Sequence, residues 1–146
     1  MKLLIPWMAA LAFSAILPKS ARADDPNDIL IVVNAASGGG SMTVSDVRDL
    51  FLKKRTSWAN GVKAVPVNAV EGSALRAAFR SKVLGMTASE ERAYWQERKI
   101  KAGESVPPEF GDTLRAVFKM RGAIGYIFRS QFREGTAKIL LVVPAR

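Results

Sequence analysis

"VPVNAVEGSALRAAF", residues 65–79, passes from an apolar stretch through a small polar turn into an Ala-rich segment. That is the outline of a strand, a loop and a helix start. In open α/β sheets ligands gather at such junctions, beside helix N-termini whose unpaired N–H groups and dipole attract anions. The stretch therefore sets both the fold class and the first place to look for a site. Ser73 is its only hydroxyl, and a carboxylate, Glu71, stands inside the turn.

Upstream, "ILIVV" (29–33) is a short apolar run rich in β-branched residues, expected to be a strand covered on both faces. A Gly/Ser loop follows. Thr43 and Asp46 then form a capping box before a helix with Val44, Val47, Leu50 and Phe51 on one face. "KKRTSWANG" (53–61) is a basic loop ending in an Asn-Gly turn, and residues 62–67 alternate well enough for a second strand.

Downstream, Leu75, Ala78, Phe79 and Val83 recur at helical spacing up to Gly85, a residue suited to stopping a helix. Thr87 and Glu90 make a second capping box, opening a helix that carries Tyr94, Trp95 and Arg98 and fades near Gly103. Pro107-Pro108 forces a loop. Asp112 caps a helix with Leu114, Val117 and Phe118 on one face, and "AIGYIF" (123–128) and "KILLVV" (138–143) are two strands joined through a turn at Glu134-Gly135. The order β-α-β-α-α-α-β-β argues for an α/β domain, a mixed and mostly parallel sheet flanked by helices.

Residues 1–23 have the character of a secretory signal peptide. Lys2 opens them, Leu3 to Leu17 form an apolar run of 15 residues, and Ala21-Arg22-Ala23 supplies a small-x-small cleavage site. The run is short of the roughly 18–20 residues a spanning helix needs, so no stable membrane span is expected after cleavage. Residues 24–146 then form one domain, exported to the periplasm. Three of the 22 basic residues (Lys2, Lys19, Arg22) fall in the leader, leaving 19 against 13 acidic ones, a net charge of +6. Such a balance steers anions or acidic partners. The basic runs carry no interleaved aromatics, so nucleic acid is not an expected partner.

The chain has no histidine and no cysteine. This removes the usual general base near neutral pH, the usual zinc ligands and every Ser-His or Cys-His pair. Glu90-Glu91 and Asp24-Asp25 are adjacent residues that do not share a helix face, and they are taken as solvated charges. Neither an enzyme, a metal nor a cofactor is expected.

Several stretches together, "VVNAAS" and then "MTVSDVRDLFLKKRTSWANGVKAVPVNAVEGSALRAAFRSKVLGM", "YWQERKIKAGESVPPEF" and "RGAIGYI", resemble the phosphate-binding proteins of ABC transporters. The likeness is nearest to their short stand-alone periplasmic relatives, and it covers roughly residues 28 to 143. It rests on the acid- and Arg-bearing helix ending in Phe51-Leu52, Trp58 before an Asn-Gly turn, Gly72-Ser73 after a strand, and Gly122-Ala123-Ile124-Gly125-Tyr126. The resemblance implies a single lobe of a type-2 periplasmic-binding fold. It also implies that phosphate or a related oxyanion is held by Asn68, Glu71, Gly72, Ser73, Ala74 and Arg76.

The family's loop is of Arg-Ser-Asp-Gly-Ser-Gly-Thr type. Here Ala69 stands where the Arg would be, and Ala74-Leu75 replace the Gly-Thr that follows. Charge-assisted hydrogen bonds contribute about 1.5–3 kcal/mol each, so these losses would weaken binding on the order of 10²–10⁴. Glu71 has two readings: acceptor of a hydrogen-phosphate proton, as the resemblance implies, or a group satisfying the helix N-terminus. Arg76 likewise either reaches over the loop or forms an ordinary surface salt bridge. Trp58 and Tyr126 are expected in the core.

Two functions are compatible with this sequence. One is a solute-binding module whose weakened site is completed by a second copy or an envelope protein. The other is an interaction protein that keeps the fold only as a scaffold.

Overall fold

The computed structural model describes residues 24–37 and 40–146, so the expected signal peptide and residues 38–39 of the Gly/Ser loop lie outside the described residues. Strand β1 (Ile29–Val33) is the centre of the molecule, and all five of its residues are fully buried. Ile29, Ile31 and Val33 face one apolar cluster; Leu30 and Val32 face another on the opposite side of the sheet. An unbroken apolar run is what a strand covered on both faces requires.

Around β1 stand β2 (Val65–Pro66), β5 (Ala123–Phe128) and β6 (Lys138–Val143), in the order β2-β5-β1-β6. The sheet is mixed, as expected, but its parallel part is confined to short pairings. β2 runs parallel to β5, and in a separate two-stranded sheet β3 (Asn68–Ala69) runs parallel to β4 (Glu109–Phe110). The longer ladders, β1 with β5 and β1 with β6, are antiparallel. The apolar run of β1 reports coverage on two faces and carries no information on direction. For the same reason β5 and β6, expected as consecutive strands, are not partners: β1 lies between them.

The strand expected over 62–67 is shorter, Val65–Pro66, and a separate strand, β3, follows it at Asn68. Val67 N–H still donates to Ile124 O at 2.9 Å, whereas Asn68 N–H turns to Pro108 O at 2.8 Å, so the chain changes sheets between these residues.

Helix α1 (Val44–Phe51) starts on the Thr43/Asp46 capping box and buries Val47, Leu50 and Phe51. α2 (Ala74–Phe79) continues into a wider π-type turn, Arg80–Leu84, that ends at Gly85 in the left-handed conformation. α3 (Ala88–Ala102) has the Thr87/Glu90 capping box and stops at left-handed Gly103. α1, α2 and α3 cover the face of Ile29, Ile31 and Val33.

The other face is covered by α4 (Thr113–Lys119), capped by Asp112. It lies so near β5 that a Cβ on Gly125 would stand 2.8 Å from Val117 Cγ2. Leu114 and Val117 are buried as expected, but Phe118 points outward at 54% exposure. The last turn of α4 is held by Asn34, whose Nδ2 donates to Val117 O and Phe118 O. Trp58 and Tyr126 are core residues. Trp58 donates from Nε1 to Gly122 O at 2.9 Å, tying the Asn-Gly turn to the start of β5. Among the described residues no helix is long and apolar enough to cross a membrane.

Candidate functional site

The loop from Val70 to Ser73 joins β3 to α2, and its ends serve different surroundings. It leaves β3 under firm restraint. Ala69 N–H donates to the Tyr126 hydroxyl at 3.0 Å, and that hydroxyl donates to Asn68 Oδ1 at 2.9 Å. Asn68 Nδ2 donates to Pro107 O. Burial pushes the Tyr126 phenol up to about 12, so it stays protonated and keeps donating. Asn68, expected as a ligand, is thus a buried structural bracket.

Ser73 is the N-cap of α2. Its Oγ accepts from Arg76 N–H at 3.1 Å and donates to Val70 O at 2.7 Å. Gly72 carries a φ of +86°, the left-handed turn that brings Ser73 back onto the helix axis. Ala74 and Leu75 open the helix, where backbone N–H groups precede the first intrahelical bond. Ser73 and Leu75 line a cleft of about 630 Å³ whose other walls include Asp112, Thr113, Ser130 and Arg133. Ser130 and Arg133 had no sequence signal, since they belong to the irregular connection between β5 and β6.

Glu71 turns the other way. Its carboxylate bonds Arg80 Nη2 at 2.5 Å and lies 3.7 Å from Arg76 Nη2. It is therefore not the helix cap; Ser73 is. Arg76 is not a surface residue either. It is 2% exposed and donates from Nη1 to Ala69 O at 3.1 Å and from Nη2 to Glu91 Oε1 at 2.7 Å. Arg80 Nε bonds the second oxygen of Glu91 at 2.5 Å. Glu91, expected to be solvated, is 4% exposed and bridges two guanidinium groups. The signal that could have found it is its place four residues before buried Trp95, on the helix face that packs inward.

Of the six expected ligand residues, Ser73 alone lines the 630 Å³ cleft; Gly72 makes the turn before it and Ala74 is the first residue of α2. Asn68 is turned into the core, and buried Arg76 lines a second cavity together with Glu71. The upstream Gly/Ser loop is structural where it is described: Asn34 holds α4, and Ser37 Oγ accepts from Gly122 N–H at 2.9 Å.

The bond from Arg80 holds the Glu71 carboxyl below the usual range, with the charges of Arg80 and Arg76 adding and partial burial opposing. A depressed carboxylate contributes stability above its unfolded pKa and loses it as pH falls through the folded value. The difference in melting temperature between the wild type and Glu71→Gln is therefore expected at neutral pH and should vanish well below about pH 4.5. Melting curves across pH 3–7 would check this, and a difference that persists in acid would remove the ion pair as its cause.

No protein-family model matches the chain, and no curated protein matches it. Solved structures do. Over 79% of its length the chain is similar to a putative phosphate ABC transporter substrate-binding protein with bound phosphate from Clostridium perfringens, with a TM-score of 0.59 and 21% identity. An ABC-type phosphate transport receptor from Vibrio cholerae is similar over the same share, with a TM-score of 0.60 and 19% identity. The chain spans only 45% and 46% of those two proteins. It thus has, in part, the α/β fold of phosphate ABC transporter substrate-binding proteins, over less than half of their length.

Proposed function

We propose that the protein is an exported solute-binding module for phosphate or a related oxyanion, acting in the periplasm after removal of residues 1–23. The observation that carries this reading is the 630 Å³ cleft, lined by Ser73 and Leu75 at the start of α2 and by Arg133. Open N–H groups and one cation are the means by which a helix start holds an anion. The likeness to phosphate-binding structures supports the same assignment. With a single lobe, water reaches the ligand and screens each contact, so tight binding needs a second copy or an envelope protein across the cleft.

A specific observation favours the second reading, a scaffold that has given up its ligand. Asn68, Ser73 and Arg76 all spend their polar atoms on internal bonds. Thermal melting with millimolar phosphate, sulfate or arsenate separates the two. A ligand at about 100 times its Kd adds about 2.7 kcal/mol of stability. Ser73→Ala removes a helix cap and should cost about 1 kcal/mol by itself. The informative quantity is therefore the phosphate-induced shift, which should shrink in Ser73→Ala and in Arg133→Gln. No shift with any of the three anions would leave the scaffold reading standing. Sedimentation with and without phosphate tests closure by a second copy.

A further inference from the structure

On the far side of the 70–73 loop lies a second cavity of about 420 Å³, within the range of small-molecule sites. One wall is the α3 face carrying Ala88, Trp95, Arg92 and Lys99, another is the 104–109 segment with Val106, and buried Arg76, Arg80 and Glu91 lie beneath with exposed Glu71 beside them. Val106 is 40% exposed, an apolar side chain turned to this space with nothing covering it.

The charges decide what would fit. Every carboxylate in the lining has a guanidinium beside it. Glu91 lies between Arg76 and Arg80, Glu71 is on Arg80, Glu104 on Arg98, and Glu109 is 3.6 Å from Arg76. Arg92 and Lys99 have no carboxylate partner among the described residues. Seven residues apart on α3, they stand on one face two turns from each other, with Trp95 between them. The cavity therefore offers an apolar wall of Ala88, Trp95 and Val106 and an unneutralised pair of cations at its mouth.

We propose that this cavity binds an amphiphilic organic anion, a carboxylate or sulfonate on an aromatic or short acyl body. The body would lie against Trp95 and Val106, and the acid group would meet Arg92 and Lys99. A fully hydrated inorganic anion gains nothing from the apolar wall, and a cation meets only carboxylates that already lie beside a guanidinium. The site is separate from the Ser73 cleft and does not depend on the function proposed there.

The test is calorimetric titration of the purified protein with 2-naphthoate and with its neutral analogue 2-naphthamide, alongside tryptophan emission, since Trp95 lines the cavity and Trp58 is buried elsewhere. Saturable 2-naphthoate binding is expected, with 2-naphthamide at least about tenfold weaker for want of the charge-assisted contacts. Arg92→Gln/Lys99→Gln, both exposed positions, should weaken 2-naphthoate about tenfold without changing the melting temperature. Val106→Asp should abolish binding, while Ser73→Ala and millimolar phosphate should leave it unchanged. The proposal is overturned by equal affinity for the amide, by an unaffected double variant, or by no saturation up to about 5 mM. Competition by phosphate together with loss in Ser73→Ala would also overturn it, by moving the ligand to the other cleft.

Discussion

Gly122→Ala is expected to lower the melting temperature by roughly 10–20 °C, a loss of about 2–5 kcal/mol in a domain of this size. Two penalties combine. The residue has a φ of +83°, which costs an L side chain about 1–2 kcal/mol. A Cβ there would also stand 2.2 Å from the backbone carbonyl oxygen of Lys63, which no rotamer change relieves. The backbone must shift, and Gly122 O receives both Trp58 Nε1 and Val65 N–H, so the shift would loosen the Trp58 anchor and the β2–β5 pairing together. Gly135 is the control, with a φ of +76° and nothing within 4 Å of an added Cβ. Gly135→Ala should cost only the conformational part. Equal melting temperatures for the two variants would show that the close approach to Lys63 has no energetic weight.

Glu91→Ala is expected to be of similar size, about 3–5 kcal/mol, because it leaves buried charge without its counter-charge. Glu91 is the link between Arg76 and Arg80, and its two oxygens serve one guanidinium each. Arg80, with its pKa raised first by the bond from Glu71, stays charged in any accessible pH range, so it cannot relieve the strain by losing its proton. Arg76 would keep Ala69 O, yet its Nε already lies buried with no partner. The measurement is denaturant unfolding of Glu91→Ala beside Glu90→Ala, whose carboxylate belongs to the exposed capping box and should cost only about 1 kcal/mol. Comparable losses would reduce Glu91 to a surface charge, as expected from its adjacency to Glu90.

The contrast between Glu90 and Glu91 shows where sequence reading reaches its limit. Glu90 was legible because a capping box is local, three residues from Thr87. The partners of Glu91 lie 15 and 11 residues away on another helical segment, and no spacing within α3 points to them. The six candidate ligand residues divide in the same way. Ser73 as a residue at a helix start follows from its neighbours alone. The inward turn of Asn68 and Arg76 depends on Tyr126, Pro107 and Glu91, which only the folded chain brings alongside.

The sequence by itself determined most of the elements and their ends, though not the short strands β3 and β4. The strand at 29–33, the capping boxes at Thr43 and Thr87, the stops at Gly85 and Gly103 and the cap at Asp112 are each set by bonds or steric limits within a few residues. Strand direction, the insertion of β1 between β5 and β6, and the division of one loop between two cavities were decided only by the tertiary structure. Hydrophobic periodicity records which faces are covered, whereas neighbours distant in the chain fix what covers them. Glu71 and Ser73, two residues apart in one turn, diverge because Arg80 draws one side chain and the start of α2 holds the other.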